Sequence, residues 1–270
     1  MILVNGAVAD SVAVTDRGLA YGDGVFRTLL IKQGKPRCWQ RHYRKLAHDC
    51  ATLAIPCPAE TVLREELERA AGSEAECVAK LIVTRGSGVR GYAQPERLFP
   101  TRIVMTQPMP RYPVEFMERG VTVRLCSTRL AFQPRLAGIK HLNRLENVLA
   151  RAEWSDAQTA EGLMLDPEGN AICGTMTNLF IVEKDALTTP ELSRCGVAGI
   201  TRERLLEAAV RHGVECRVEQ LPLERVCSAQ EVLLVNSVIG VWQVKKLSDR
   251  AWQPGRSASR VRQWLDEQED

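Results

Sequence analysis

A lysine that reacts with a carbonyl must do so as the neutral amine, so a reactive lysine needs a setting that disfavours its ammonium form. Lysines are few beside arginines, standing at positions 32, 35, 45, 80, 140, 184, 245 and 246. Lys32, Lys35 and Lys184 fall in polar turns, where solvated surface lysines belong. Lys140 differs: it lies in Leu136-Ala137-Gly138-Ile139-Lys140-His141-Leu142-Asn143, between apolar residues, behind a glycine and at the expected entry to a helix. Desolvation there would lower its pKa and give a nucleophile. Spacing alone leaves a snorkelling structural lysine equally open.

Other constellations fare worse. Gly86-Ser87-Gly88-Val89-Arg90-Gly91 satisfies G-x-G-x-x-G after an apparent strand, but Tyr92-Ala93-Gln94-Pro95 cannot open a long helix, so no helix N-terminus is offered to a pyrophosphate. What remains is a basic loop with Arg85, Arg90 and Tyr92, either a surface turn or a lid over an anionic substrate. The nine cysteines lie mostly in apolar segments without a C-x-x-C pair, as buried thiols in a reducing compartment do. The four histidines are scattered, with His42 and His48 off helical ligand spacing, so no metal is expected.

The elements that must position such residues read as α+β. Ile2 to Val4, the turn Asn5-Gly6 and Ala7 to Ala9 form a hairpin. Helices are expected over Arg41 to Ala54, stopped by Pro56, and from about Ala59 to Gly72. Strands follow near Val78 to Thr84 and Arg102 to Thr106. Three prolines within Gln107 to Pro113 mark a linker, giving a first domain over 1–107, a linker over 108–120 and a second, larger α/β domain over 121–270 that carries Lys140. In that second part we expect a strand at Val121 to Leu125 and a helix from about Leu142 to Asp156 with Leu142, Leu145, Val148, Leu149 and Ala152 inward. A hairpin is expected from Leu163 to Asp166 and Thr177 to Val182, then a helix from Thr201 to Gly213, a strand at Glu231 to Val235 and a last helix around Ser257 to Glu267.

A length of 270 residues with 45% hydrophobic content can bury a sizeable core. A formal net charge of +3 lacks the dense basic stripe that a nucleic-acid binder needs. The N-terminus shows no signal peptide, and no apolar run approaches a membrane span, so a cytoplasmic protein is expected.

Gly138-Ile139-Lys140-His141-Leu142-Asn143-Arg144-Leu145-Glu146 resembles the cofactor-lysine segment of the fold-type IV pyridoxal-phosphate enzymes. That group contains branched-chain aminotransferases, D-amino acid transaminases and aminodeoxychorismate lyases. Asp16 to Phe26, His42 to Leu46, Thr175 to Phe180 and Gly199 to Arg202 are similar to family segments in the same order, so the resemblance spans nearly the whole chain. Arg85 to Tyr92 and Leu136-Ala137-Gly138 resemble the lyase branch most.

The resemblance implies the two-domain, D-amino acid transaminase-like fold and pyridoxal 5'-phosphate held on Lys140 as a Schiff base. It implies that Arg44 clamps the cofactor phosphate, that Ile200 and Thr201 meet it at a helix N-terminus, and that Ser237 adds a hydroxyl. Val197 would pack on the pyridine ring and Thr28 would relay a proton. Arg90, Tyr92 and Arg102 are candidates for substrate carboxylates. The chain departs from the family at Cys173, where a glutamate normally pairs with the pyridine nitrogen; Glu168, the nearest upstream acid, falls in an expected turn. The activity implied is conversion of 4-amino-4-deoxychorismate to p-aminobenzoate and pyruvate by a homodimer. Aromatisation would drive that elimination despite the thiol. A branched-chain or D-amino acid aminotransferase remains open, as does a silent homologue signalled by Cys173 and Arg27.

Overall fold

The computed structural model describes residues 1–268; residues 269 and 270, at the end of the expected second domain, lie outside the described residues. The chain forms two units, one of Met1–Pro110 with Ile139–Asn143, the other of Arg111–Gly138 with residues 144–268. The short Lys140 segment thus belongs with the N-terminal unit, although sequence order assigns it to the C-terminal one.

The first unit runs β1 (Ile2–Val4), β2 (Ala7–Val8), α1 (Arg17–Tyr21), β3 (Gly24–Lys32), β4 (Lys35–Pro36), α2 (Trp39–Thr52), α3 (Glu60–Ala71), β5 (Glu76–Thr84) and β6 (Arg102–Gln107). Its six strands lie in the order β2-β1-β6-β5-β3-β4, each pair antiparallel. Residues of one parity point to one face, so Val25, Leu29 and Ile31 of β3 and Ala79, Leu81 and Val83 of β5 share a core with Leu46 of α2 and Leu63 and Leu67 of α3. Burying each large aliphatic side chain contributes about 1.5–3 kcal/mol before entropy is counted. The strand β3, absent from the sequence expectations, carries Arg27 in its core-facing row, and this charge hides its alternation.

The second unit contains α4 (Glu115–Glu118), β7 (Val121–Leu125), α5 (Leu145–Arg151), β8 (Thr159–Leu165), β9 (Ala171–Gly174), β10 (Asn178–Glu183), β11 (Ala186–Pro190), α6 (Ile200–Arg211), β12 (Cys216–Glu219), α7 (Leu223–Ser228), β13 (Glu231–Asn236), β14 (Gly240–Leu247), β15 (Arg250–Ala251) and α8 (Ser257–Asp266). The path β10-β13-β14-β7-β8-β9 closes on itself because β9 pairs with both β8 and β10. Alternate residues of its strands serve two cores. Leu179, Ile181, Val232, Leu234 and Trp242 pack together, while Phe180, Leu233, Val235 and Val241 pack with α6 and α8. Tyr112 and Phe116, inside the expected linker, dock on Trp242 at centroid distances of 4.9 and 5.5 Å, so that half of the linker is structured.

Two expectations are corrected. The helix expected over Leu142 to Asp156 is only α5, and Leu145, Val148 and Leu149 are 75, 59 and 60% exposed rather than inward. The hairpin expected between Leu163–Asp166 and Thr177–Val182 instead pairs β8 with β9, because Asp166 closes a turn by accepting from Glu168 and Asn170 N–H groups at 2.9 and 2.8 Å.

Candidate active site

Lys140 is half-buried and lies in extended chain, five residues ahead of α5 rather than at a helix entry. Its carbonyl accepts from Phe26 N–H at 2.9 Å, and Leu142 N–H donates to Gly24 carbonyl at 2.9 Å. The segment therefore extends the free edge of β3 beyond β4, with His141 opposite Val25. Lys140 N–H does not join this ladder; it donates to Asp49 Oδ2 at 2.9 Å. The side chain reaches over the Phe26 ring, its Nζ 4.6 Å from the centroid. Both ends of the lysine's backbone are thus fixed, and its amine rests on an aromatic face.

Thr28 shares this outer face of β3 with Phe26 and stands opposite Lys80 of β5 in register. Lys80 Nζ lies 5.0 Å from the same Phe26 centroid. Arg44 is exposed, whereas the next residue, Lys45, is half-buried. Four residues before Asp49, Lys45 lies on the Asp49 stripe of α2, while Arg44 is turned away by more than a third of a revolution. The helix geometry therefore favours Lys45 over Arg44 as the cation beside Lys140.

The substrate-binding expectations fare differently from one another. Arg102 sits on the core-facing side of the sheet, opposite Val83, and is held by Glu66 of α3 at 2.9 and 3.0 Å; it is a structural ion pair and lies on the opposite face from Thr28. Arg85 is likewise buried, donating to Asp23 at 2.7 and 3.0 Å and to the Leu53 and Ala54 carbonyls. Arg17 also donates to Asp23 and to the carbonyls of Gly91, Tyr92 and Ala93. Burial opposes the charge on Asp23, but Arg85 and Arg17 outweigh it and hold the carboxyl below its usual range. The segment from 85 to 93 is thus tied at its base, leaving Arg90 exposed and Tyr92 86% exposed against Tyr21. No helix follows Gly91, and Gly86, at φ +89°, passes so close to Phe99 that a Cβ would meet its carbonyl oxygen at 2.0 Å.

In the second unit, Cys173, Val197, Ile200 and Thr201 gather around Asn178. Cys173 faces Asn178 across β9 and β10. Asn178 Nδ2 donates to the Val197 carbonyl at 2.7 Å, and its Oδ1 accepts from Gly199 N–H at 3.2 Å. Gly199 is the N-cap of α6, extended at φ −72° and ψ 156°, with Ile200 and Thr201 opening the helix. A Cβ at Gly199 would sit 2.3 Å from Asn178 Oδ1, so only glycine fits. Gly138, two residues before Lys140, donates to the Gly196 carbonyl and accepts from Ala198 N–H at 2.9 Å. Ser237 lies in the turn after β13, where Asn236 Nδ2 donates to the Met176 carbonyl at 3.1 Å and draws that turn to the same end of the unit.

Glu161 is the residue that sequence reasoning missed. Fully buried in β8, it accepts from the N–H groups of Gly162, Thr175 and Met176 at 2.9, 3.0 and 3.1 Å, and from the hydroxyls of Thr175 and Thr177. Burial pushes its pKa up, against these donors. Its carboxylate shapes the loop that presents Asn178 and is consumed by that task. Only the pattern of threonines in Thr175-Met176-Thr177 hinted at a buried acceptor. Among the described residues no cluster of His, Cys, Asp and Glu could hold a metal ion, and no helix is long and apolar enough to cross a membrane.

Comparison with known proteins places this geometry. The aminotransferase class IV family matches residues 24–247, which include Lys140, Asn178 and the start of α6. Aminodeoxychorismate lyase of Vibrio harveyi is 35% identical over 248 residues, 92% of each chain. The crystal structure of 4-amino-4-deoxychorismate lyase from Pseudomonas aeruginosa superposes with a TM-score of 0.95 at 46% identity, covering 99% of this chain and 98% of that one. Branched-chain aminotransferase of Escherichia coli shares the fold at a TM-score of 0.86 and 22% identity, over 98% and 93% of the two chains. With the match running from β3 through β14 and taking in every strand that frames Lys140 and Asn178, this chain belongs to the aminotransferase class IV family.

Proposed function

We propose that this protein is a pyridoxal-phosphate-dependent lyase that converts 4-amino-4-deoxychorismate to p-aminobenzoate and pyruvate. The observation that carries the reading is the 46% identity with a lyase structure over nearly the full length of both chains. The residues present fit the cofactor. No side chain caps the first turn of α6 at Gly199, so its N–H groups are free to meet a phosphate dianion, which the helix dipole also favours. Ile200 and Thr201 would supply those groups, Ser237 a hydroxyl, and Lys45, rather than Arg44, a cation from α2. Val197 would cover the ring, and Cys173 would face the position that an acid normally takes.

When bound, the cofactor supplies an aldehyde for the substrate amine and an electron sink. Lys140 would then act as the base that removes the ring proton beside the substrate nitrogen. Its fixed backbone keeps the amine within reach of that single position. Lys140 or Thr28 then delivers a proton to the departing enol of pyruvate, and aromatisation draws the reaction forward. Arg90 and Tyr92, on the exposed part of the 85–93 segment, would meet the substrate's carboxylates.

Nine free thiols suit a reducing cytoplasm. The exposed apolar row Leu145, Val148 and Leu149 suits a homodimer. The test is release of p-aminobenzoate and pyruvate from aminodeoxychorismate, with amino acid plus 2-oxoglutarate as the comparison arm. Lys140→Ala should lower lyase turnover about a thousandfold or more. A tenfold or smaller loss, or a faster transfer reaction in the comparison arm, overturns the assignment.

A further inference from the structure

The buried pair Arg27–Asp49 has no counterpart in the scheme above, and stability does not account for it, because apolar residues of similar volume commonly replace such pairs at no cost. The two side chains are 3% and 1% exposed and in direct contact. Asp49 uses the same Oδ2 for Arg27 and for the Lys140 N–H. We infer that the Arg27–Asp49 pair is a positioning device for Lys140, whose carboxylate fixes the lysine's backbone while the guanidinium cancels the charge that this anchor brings near the amine. The inference rests on Lys140 being the residue that carries the cofactor.

The physical steps are short. A buried amide left without an acceptor is costly, and the β3 ladder serves the Lys140 carbonyl but not its N–H. A carboxylate is a strong acceptor, yet uncompensated it would favour the ammonium form of a nearby lysine. Arg27, arriving from the core face of β3, opposes that bias. Among the described residues, the other charged or titratable groups around this point include Cys50, next to Asp49 on α2 and acted on by both charges of the pair, His48, whose Nδ1 is 3.4 Å from Asp49 Oδ1, Lys45 on the same stripe of α2, Lys80 on the Phe26 ring from β5, and His141 next in the chain.

The test uses purified holoenzyme and follows the pH midpoint of its visible absorbance band, a readout independent of turnover. Arg27→Leu leaves the carboxylate alone and should move the midpoint up by about one unit, whereas Asp49→Asn leaves the guanidinium alone and should move it down by about as much. The double variant Arg27→Leu/Asp49→Leu removes both charges, so its midpoint should return to the wild-type value. Its Lys140 N–H loses the Asp49 carboxylate that accepts from it, so cofactor should be lost on dialysis about tenfold faster. That variant keeps the proposal testable should either single change prevent folding. Unmoved midpoints, shifts of the same sign, or wild-type cofactor retention in the double variant would overturn the device. Hydride trapping on wild-type holoenzyme separates the two claims: label on Lys140 with unmoved midpoints refutes only the pair's role, and label elsewhere refutes the lysine assignment.

Discussion

Cys173 puts a thiol beside Asn178 where the family resemblance implies a glutamate, and Glu161 cannot substitute for that acid because five donors of the 162–177 stretch occupy it. A weaker partner for the ring nitrogen should harm transfer between amino and keto acids more than an elimination that ends in an aromatic ring. Cys173→Glu is therefore expected to raise amino transfer to 2-oxoglutarate by about tenfold while lyase turnover changes little. The larger side chain must fit against Met164 and Ile172, so unfolding is measured in parallel. Unchanged transfer rates in a variant of wild-type stability count against this account of the thiol. The same residue scale separates two arginines that the sequence left alike: helix phase turns Arg44 away from the Asp49 stripe, and Glu66, thirty-six residues away in sequence, claims Arg102.

Among the elements, the loop that leads from β7 toward the Lys140 segment depends on one carboxylate. Glu153, just after α5, accepts from Ser127 N–H at 2.8 Å and from Thr128 N–H and hydroxyl at 2.9 and 2.8 Å. Burial works against its charge, but these donors prevail and hold its pKa at about 2, below the ordinary 4.5. A carboxyl whose folded pKa is depressed stabilises the fold above its unfolded pKa and loses that contribution as pH falls through the folded one. Glu153→Gln should therefore cost about 1–2 kcal/mol near neutrality, and the gap from wild type should close between about pH 4.5 and pH 2 in urea titrations. A gap independent of pH would assign the cost to packing. The hairpin β1–β2, the helices α2, α3 and α6 and the strands β5, β6, β7 and β13 were legible because each shows its own period or turn chemistry. The strand β3 was not, since Arg27 interrupts its apolar row and the Asp49 that permits this lies twenty-two residues away. Around the candidate site, the helix start at Thr201 was legible locally, while the strand-like setting of Lys140, the acceptor for its N–H and the task of Glu161 exist only in three dimensions.

For the molecule as a whole, the periodicity that misplaced α5 becomes informative once its exposure is known. Leu145, Val148 and Leu149 recur at helical spacing on one face, as core residues would, yet they are 75, 59 and 60% exposed. Glu146, on the same helix, is spent on the Ala131 N–H, so the helix is anchored while its apolar row faces outward. A fixed apolar ridge of this kind is removed from water most simply by a second copy of the chain. Wild-type protein should then sediment as a dimer at micromolar concentration. Val148→Glu/Leu149→Glu places four carboxylates at the boundary of a two-fold dimer, and the cost of desolvating them should raise the dissociation constant about a hundredfold or more. The ridge lies outside the buried cores, so the monomer of that variant should keep its wild-type unfolding midpoint. Sedimentation velocity across a concentration series decides the matter: a wild-type monomer at every concentration, or a variant dimer of undiminished strength, would remove α5 from the interface.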